Sequence, residues 1–181
     1  MKIIILDRDG VINHDSEHYI KSVEEFIPID GSIDAITRLS HAGYKVVICT
    51  NQSGIGRRLY TMKTLNDMHQ KLYDLVENQG GKIAGIFICP HTPEDNCDCR
   101  KPKPKMIIDI CNRFGVDNKS DLMFVGDSYR DLETIMAVGG IPVLVKTGNG
   151  KRTIAKHKLP ENVLIFDDLL HFSEYIIHKE D

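Results

Sequence analysis

The sequence predicts an α/β fold with a doubly wound, mainly parallel, Rossmann-like sheet. Six short, branched apolar runs recur along the 181 residues, and stretches with helical spacing separate them. A continuous apolar run is typical of a parallel strand that is covered on both faces. Right-handed crossovers between such strands give a doubly wound sheet. The predicted strands cover 3–6, 46–48, 83–88, 122–125, 141–145 and 163–166.

Apolar residues three or four positions apart predict a helix in each of four segments between these strands. A glycine follows each segment, where positive φ ends a helix at little steric cost. These glycines are Gly43, Gly80, Gly115 and Gly139. The helical positions are Ile33, Ile36 and Leu39; Leu65, Met68, Leu72, Leu75 and Val76; Ile107, Ile110, Cys111 and Phe114; and Leu132, Ile135 and Met136.

The composition predicts one globular domain over 1–181. Hydrophobic residues make up 41% and charged residues 27% of the chain, and a domain of this size buries about 70% of its unfolded surface. The formal net charge of −3 provides no general attraction to nucleic acid or to an anionic membrane. No apolar run approaches the roughly 20 residues of a membrane span, and no secretory signal is evident. We therefore expect a cytoplasmic protein, with a monomer as the default.

Two carboxylates follow the first predicted strand, in Asp7-Arg8-Asp9-Gly10. Ligands of open α/β sheets bind beyond the carboxyl ends of the strands, so both acids should face an open pocket. Their oxygens suit Mg²⁺ and also two steps of acyl-phosphate chemistry, in which Asp7 attacks and Asp9 moves the proton. A lone acid at a strand end is more often a cap or a surface group.

Thr50-Asn51-Gln52-Ser53 follows the second predicted strand. The Thr50 hydroxyl and the backbone N–H groups, with Gly54 and Gly56 after them, could form a nest that holds a phosphoryl group. An ordinary turn is the plainer alternative for such residues.

Arg100 and Lys101 form a basic pair next to two prolines, Pro102 and Pro104. A guanidinium can grip a second phosphate, and an ammonium can neutralise the phosphoryl group being transferred. Basic pairs on loops are usually only solvated charges. The prolines favour a functional role, because a stiff backbone lowers the entropy cost of holding both side chains in position.

Three cysteines and a histidine lie close together in the only long irregular stretch, in the pattern Cys-x-His-x5-Cys-x-Cys. Three thiolates and one imidazole form a closed tetrahedral zinc set, which predicts a structural site that pins a zinc loop over 89–105. A pair of unrelated thiols or a labile disulfide is the alternative for Cys97 and Cys99, but Cys-x-Cys geometry is poor for a bridge and His91 would then be unexplained. The predicted ligands are Cys89, His91, Cys97 and Cys99, whereas Cys49 and Cys111 are expected in the core.

Four motifs in order resemble those of the haloacid-dehalogenase superfamily of phosphohydrolases. They are Asp7-x-Asp9, Thr50-Asn51-Gln52-Ser53, Lys101-Pro102 and Gly126-Asp127-x-x-x-Asp131. The resemblance implies that Mg²⁺ is held by Asp7, the backbone carbonyl of Asp9 and Asp127, while Asp131 orders the shell and Lys101 stabilises the phosphoryl group. It also implies that Arg100 recognises substrate. Asp127 could alternatively cap the following helix.

Within this superfamily the chain looks most similar to the heptose-bisphosphate phosphatases, which are closely related to histidinol-phosphatases. The resemblance rests on the strings at 7–13, 50–57, 89–91 and 97–102. It implies a small phosphorylated sugar as substrate and no large cap domain, so that loops supply specificity. The implied substrate-binding residues are Asn51, Gln52, Ser53, Arg100, Asp15 and Tyr19.

Two alternatives stay open from the sequence. A histidinol-phosphatase would have a similar zinc loop, and a zinc-stapled binding module without catalysis would keep the cysteine cluster. The chain departs from the subgroup at Arg58, where glycine is usual, and at Ser128, where many members have a lysine.

Overall fold

The computed structural model describes residues 2–179. These residues contain six parallel strands and seven α-helices. The strands are β1 (Ile3–Leu6), β2 (Lys45–Asn51), β3 (Ile83–Cys89), β4 (Met123–Gly126), β5 (Ile141–Val145) and β6 (Leu164–Phe166). The helices are α1 (Ser32–His41), α2 (Ser53–Gly56), α3 (Met62–Asn78), α4 (Lys105–Phe114), α5 (Tyr129–Met136), α6 (Gly150–Lys156) and α7 (Leu169–His178).

The structure confirms the predicted fold class. The strands form one sheet in the order β3-β2-β1-β4-β5-β6, and every pair is parallel. All six predicted strands are present, and α1, α3, α4 and α5 occupy the four segments with helical spacing. The helices α2, α6 and α7 were not predicted. Two of them span only four and seven residues, which is too short for a clear apolar period.

The central strand β1 is buried along its whole length. Ile4 and Leu6 belong to the apolar core on one face of the sheet, while Ile3 and Ile5 belong to the core on the other. Because successive side chains of a strand point to opposite faces, a strand with helices on both sides must be apolar throughout. This explains the run of four branched residues before Asp7.

The strand order reverses beside β1, which pairs with β2 on one side and β4 on the other. The two crossovers diverge there and leave a crevice beyond the carboxyl ends of the strands, where open α/β sheets bind ligands. A cleft of about 330 Å³ opens at this point. Within residues 2–179, no helix has both the length and the apolar character needed to cross a bilayer.

A larger cavity, about 640 Å³, lies at the opposite end of the sheet, beside Lys2, Tyr44 and Leu122. None of the residues that the motifs predicted for catalysis lines it. The smaller cleft is therefore the candidate active site.

Candidate active site

The cleft brings together nearly all the catalytic and substrate-binding residues that the sequence predicted. The residues predicted from the sequence that line the cleft are Asp7, Asp9, Asp15, Tyr19, Asn51, Gln52, Ser53, Arg100, Lys101 and Asp127. Thr50 is the exception, since it is 1% exposed and lies outside the lining. The side chains reach the cleft because β1, β2 and β4 all end at this edge of the sheet.

Asp7 faces Lys101 across the floor of the cleft. The Lys101 Nζ atom lies 2.9 Å from Asp7 Oδ1 and 2.8 Å from Asp131 Oδ1, and it donates to the backbone carbonyl of Cys49 at 3.1 Å. The backbone N–H of Arg8 also donates to Asp7 Oδ1, at 2.7 Å. One buried ammonium is thus shared by two carboxylates, in an environment where charge interactions are strong.

The ionisation of these groups reflects burial and crowding. Burial raises the pKa of Asp7, and the carboxylates of Asp131 and Asp127 raise it further against the opposing effect of Lys101. Burial alone would lower the pKa of Lys101, but Asp131 and Asp7 outweigh it and raise that pKa above its usual value. Burial and Asp131 together raise the pKa of Asp127 to about 7. The site therefore holds more negative charge than its single buried ammonium balances.

Asp127 is held where two loops approach each other closely. Its Oδ2 atom accepts from the backbone N–H of Asn149 at 2.7 Å, and its backbone carbonyl accepts from the Thr153 hydroxyl at 2.8 Å. A Cβ atom on Gly10 would lie 2.1 Å from Asp127 Oδ2, and one on Gly148 would lie 2.3 Å from it. Because of these short distances, a side chain at either position would displace the Asp127 carboxylate. Both glycines also have positive φ, which side chains rarely adopt.

The alternative role of Asp127 as a helix cap is wrong. Ser128 is the N-cap of α5, and its side chain and that of Asp131 form a reciprocal capping box. Asp131 Oδ2 accepts from the Ser128 backbone N–H at 3.1 Å and from its hydroxyl at 2.6 Å. The cap fixes Asp131 so that its other oxygen meets Lys101, a position that agrees with the ordering role that the resemblance implies.

The carboxylates fit a hard divalent cation. One oxygen from each of Asp7, Asp127 and Asp131 lies within 4.8 Å of the others, and oxygen ligands are those that Mg²⁺ prefers. A bound cation would also offset the crowding that raises the pKa of Asp127. The carboxylate of Asp9 lies outside this cluster, which leaves its backbone carbonyl as the group that the resemblance assigned to the metal.

The Asp9 carboxylate is surrounded by donors. Oδ1 accepts from Arg8 Nη2 at 2.7 Å and from Asn13 Nδ2 at 2.9 Å, and Oδ2 accepts from Gln52 Nε2 at 2.8 Å. Burial raises its pKa, but Arg8 and the hydrogen bonds from Asn13 and Gln52 outweigh burial and lower the pKa overall. This arrangement favours the ionised form and fixes the direction of the carboxylate.

The second motif mainly holds other groups in place. Thr50 Oγ1 accepts from Gln52 Nε2 at 2.9 Å beneath the cleft. The Asn51 side chain clamps the backbone of Lys101, because Oδ1 accepts from its N–H at 3.1 Å and Nδ2 donates to its carbonyl at 3.2 Å. Asn51 therefore links β2 to the loop that carries Lys101.

The predicted glycine nest after Ser53 is instead the one-turn helix α2. Gly54 and Gly56 are needed there for close packing and not for positive φ. A Cβ atom on Gly54 would lie 2.1 Å from the Tyr60 ring, and one on Gly56 would lie 2.9 Å from the carbonyl of Pro90. The short helix thus brings Tyr60 against the cleft and ties this segment to the cysteine loop.

The four predicted zinc ligands converge although they come from a strand end and a loop. Cys89 Sγ lies 3.6 Å from Cys97 Sγ and 3.1 Å from Cys99 Sγ, and His91 Nδ1 lies 3.3 Å from Cys99 Sγ. All four ligand atoms lie within 4.8 Å of one another. Tetrahedral zinc with Zn–S bonds of about 2.3 Å needs ligand separations near 3.8 Å, so the cluster fits that ion. All five cysteines are free in the structure, which favours the metal cluster over the disulfide alternative.

The cysteine loop continues directly into the basic pair. Arg100 Nη1 donates to the backbone carbonyl of His91 at 3.2 Å. Burial would raise the pKa of the Cys97 thiol, but hydrogen bonds from the loop outweigh burial and lower that pKa to about 7. A 3₁₀ turn at Pro93–Asp95 lies between the ligands. The loop therefore controls where Arg100 and Lys101 enter the cleft. Cys49 and Cys111 are buried in the core, as predicted.

The segment after β1 forms part of the cleft wall. Asp15 Oδ2 accepts from Asn149 Nδ2 at 3.2 Å, and burial raises the Asp15 pKa. Tyr19 lines the cleft with a φ of 66°. The structure thus places Asp15 and Tyr19 in the wall of the cleft, where the resemblance implied substrate contacts.

Sequence reasoning missed several residues at the cleft. Ser128 and Arg130 occupy unassigned positions between Asp127 and Asp131 of the fourth motif. The others come from loops and helices outside the motifs, where single residues without a repeated spacing give no signal. The position of Asn149 in the sequence could have indicated it, since Gly148 and Asn149 follow β5 as the other motifs follow their strands. The missed lining residues are Ser16, Ile20, Tyr60, Ser128, Arg130 and Asn149, and His69 lies behind Arg8.

Comparison with known proteins agrees with this geometry. A relative from Neisseria meningitidis, named D-glycero-β-D-manno-heptose-1,7-bisphosphate 7-phosphatase, is 55% identical over 181 residues, covering 99% of this chain and 96% of its own. A protein of the same name from Pseudomonas aeruginosa is 57% identical over 167 residues, covering 92% and 93%.

A solved structure extends the likeness to three dimensions. The D,D-heptose 1,7-bisphosphate phosphatase from B. bronchiseptica, complexed with magnesium and phosphate, matches with a TM-score of 0.96 and 46% identity over 99% of each chain. The model of the haloacid dehalogenase-like hydrolases matches residues 7–139, which hold the acids of β1 and β4 and the lysine between them. The chain belongs to the haloacid dehalogenase-like hydrolase family.

Proposed function

We propose that this protein removes the 7-phosphate of D-glycero-β-D-manno-heptose 1,7-bisphosphate through an aspartyl phosphate on Asp7. The observation that carries the proposal is the position of Asp7 at the cleft floor, 2.9 Å from the Lys101 ammonium and beside Asp127. The names of the relatives at 55% and 57% identity support the choice of substrate and of the β anomer.

In the first half reaction, a carboxylate oxygen of Asp7 attacks phosphorus and the bond from phosphorus to the sugar oxygen breaks. Arg8 N–H and Lys101 already engage Oδ1, so we assign the attack to Oδ2. Lys101 then neutralises charge that develops on the phosphoryl oxygens, and the Thr50 hydroxyl contributes from beneath. Several groups are needed because phosphate-monoester hydrolysis requires accelerations that approach about 10²¹.

Asp9 serves as general acid and then as general base. It gives its proton to the departing alkoxide and takes one from the water that hydrolyses the aspartyl phosphate, which restores Asp7 and releases phosphate. The donors around Asp9 favour its ionised form in the resting site, so Asp9 takes up, on substrate binding, the proton that it then donates. The carboxylate left after the first half reaction then accepts a proton from the attacking water.

The carboxylates of Asp7 and Asp127, with the backbone carbonyl of Asp9, would hold Mg²⁺, which when bound supplies positive charge opposite the phosphoryl oxygens. Cys89, His91, Cys97 and Cys99 would hold a structural Zn²⁺. With four protein ligands the zinc site has no open position, so its contribution is to keep the basic pair in place.

Arg100 is the group that we assign to the phosphate that is not transferred, because it is a cationic residue that lines the cleft together with Lys101. Asn51, Gln52, Ser53, Asp15 and Tyr19 would complete the substrate contacts. The cleft of about 330 Å³ suits a small sugar phosphate. We further propose that 1–181 form one phosphatase domain, with the zinc loop 89–105 inside it, and that the protein acts as a cytoplasmic monomer.

A substrate panel with phosphate release as the readout tests the proposal. We expect the highest kcat/KM for the heptose 1,7-bisphosphate, with Mg²⁺ required, and much lower values for histidinol phosphate and simple sugar monophosphates. Preference for histidinol phosphate would replace the assigned substrate. Absence of phosphate release from every ester would support a binding module instead.

A further inference from the structure

Behind the cleft, a buried network connects Asp9 to helix α3. Arg8 has no exposed surface, and its guanidinium donates to Asp9 from Nη2 at 2.7 Å and from Nε at 3.2 Å. Its Nη1 atom lies 3.3 Å from Nε2 of His69, a residue of α3 that is 7% exposed. The guanidinium also lies over the Phe26 ring, 5.6 Å from its centre. Neither Arg8 nor His69 is among the residues for which the motifs predict a role.

The contact fixes the chemical state of His69. A guanidinium carries only donors, so His69 Nε2 must be the acceptor and the ring proton must lie on Nδ1. An imidazolium would remove that acceptor and place two cations together in the interior. Burial and Arg8 lower the His69 pKa to about 4, in agreement with the neutral tautomer that the geometry requires.

Tyr60 fixes the second donor to Asp9 in the same manner. Its hydroxyl donates to Gln52 Oε1 at 2.6 Å, which leaves Gln52 Nε2 to donate to Asp9 Oδ2 at 2.8 Å. The Tyr60 ring packs on Gly54, where a Cβ atom would lie 2.1 Å from it. The amide of Gln52 can therefore adopt only one of its two orientations without losing a hydrogen bond.

We propose that His69 and Tyr60 are positioning residues for the proton-transfer carboxylate, acting on Asp9 through Arg8 and Gln52 respectively. Each oxygen of Asp9 receives a donor whose own orientation is set from behind by one of these side chains. A carboxyl group must stand within hydrogen-bond reach of the leaving oxygen to protonate it, so loss of either support should impair proton transfer more than binding. The inference rests on the proposed role of Asp9.

The test compares two esters that differ in their need for an acid. A nitrophenolate leaves without a proton, whereas a sugar alkoxide requires one, and kcat/KM reports events up to the first irreversible step. We expect His69→Leu to lower kcat/KM for the heptose bisphosphate at least about tenfold more than for p-nitrophenyl phosphate, which is a partial loss of the roughly 10²- to 10⁴-fold contribution of general acid catalysis. Tyr60→Phe should show the same selective loss.

Conservative and matched variants separate positioning from folding. His69→Gln keeps an acceptor for Arg8 and should restore most of the selectivity ratio. Met68→Leu changes a buried neighbour on α3 and should leave the ratio unchanged. An equal loss on both esters, or no loss in either variant, overturns the proposal. If His69→Leu does not fold, the ratio of the two kcat/KM values in Tyr60→Phe and in His69→Gln decides the matter. The proposal requires a selective loss in Tyr60→Phe and most of the wild-type ratio in His69→Gln.

Asp9→Asn separates a failure of the positioning inference from a failure of the role assigned to Asp9. If Asp9→Asn shows the selective loss and the His69 and Tyr60 variants do not, the positioning inference fails while the proposed function stands. If Asp9→Asn shows no selective loss, the assigned role of Asp9 fails and the inference fails with it. If the protein cleaves another alkyl phosphate in preference to the heptose bisphosphate, that ester takes the place of the heptose bisphosphate in the test. The ratio of its kcat/KM to that of p-nitrophenyl phosphate is then measured in the same way.

Discussion

The Lys101 ammonium lies 2.9 Å from Asp7 Oδ1 and 2.8 Å from Asp131 Oδ1, and the Lys101 side chain is only 1% exposed. A cation buried between two carboxylates links the loop after the cysteine cluster to the end of β1 and to the first turn of α5. Catalysis and stability should therefore both depend on this one side chain.

Replacing Lys101 with methionine should destabilise the fold by about 3–5 kcal/mol at pH 7, because buried partners of a broken ion pair stay uncompensated. Urea unfolding measures the loss. Lys105→Met is the matched control, since the Lys105 side chain is 49% exposed and pairs with Asp109 on the surface. That variant should change stability by less than about 1 kcal/mol. Equal values for the two variants would refute the importance of the buried pair.

The cysteine cluster should bind one zinc ion that supports the basic pair. Cys99→Ser removes a thiolate, so we expect loss of zinc by metal analysis, a lower Tm and a large fall in phosphatase activity as Arg100 and Lys101 lose their support. Cys111→Ser alters a buried cysteine outside the cluster and should retain the zinc. Full activity in a zinc-free Cys99→Ser protein would exclude the structural role.

Arg100 should discriminate a bisphosphate from a monoester. Charge-assisted hydrogen bonds are worth about 1.5–3 kcal/mol, so Arg100→Met should raise KM for the heptose bisphosphate about tenfold or more. The kcat/KM for p-nitrophenyl phosphate should change little. Arg57→Met serves as control, because Arg57 is outside the cleft lining and ion-pairs with Glu94 at 3.7 Å. A parallel loss on both substrates would place Arg100 in the transfer step instead.

His69 should make the fold sensitive to acid. Its pKa is about 4 in the folded protein, against 6.5 as the ordinary value, so below pH 6.5 the unfolded chain takes up a proton that the fold rejects. Stability from this group is complete above pH 6.5 and falls as the pH drops toward 4. The loss between pH 7 and pH 5 should be about 2 kcal/mol.

Urea unfolding at the two pH values checks this expectation against His69→Gln, which has no titrating ring. The variant should lose about 2 kcal/mol less than the wild type over that range. The other charged groups that act on His69 are Arg8 and Asp9, and the variant retains both. The same acid sensitivity in both proteins would assign the effect to other groups.

The sequence was most informative where one strand or one short loop carries the chemistry. The apolar run of β1 predicted that Asp7 and Asp9 would lie at the cleft, because parallel strands open their ligand crevice at the carboxyl ends. The spacing of Cys89, His91, Cys97 and Cys99 predicted a compact cluster, and the structure brings those ligand atoms together.

Contacts between distant segments were not predictable in this way. His69 was one histidine among eight, and only the packing of α3 into the apolar core that it shares with β1 places it behind Arg8. Asn149 approaches Asp127 through a loop whose course depends on Gly10 and Gly148 meeting. The glycines after Ser53 predicted a nest, but packing by Tyr60 and Pro90 determines a helical turn instead.

Trapping of the phosphoenzyme tests the central claim most directly. The wild-type protein and Asp7→Asn are mixed with heptose bisphosphate and Mg²⁺, quenched in acid within milliseconds and digested for mass spectrometry. We expect a phosphoryl adduct on the peptide that contains Asp7 in the wild type, and neither adduct nor turnover in Asp7→Asn. Measurable turnover by Asp7→Asn, or an adduct on another residue, would contradict the assignment of Asp7 as the nucleophile.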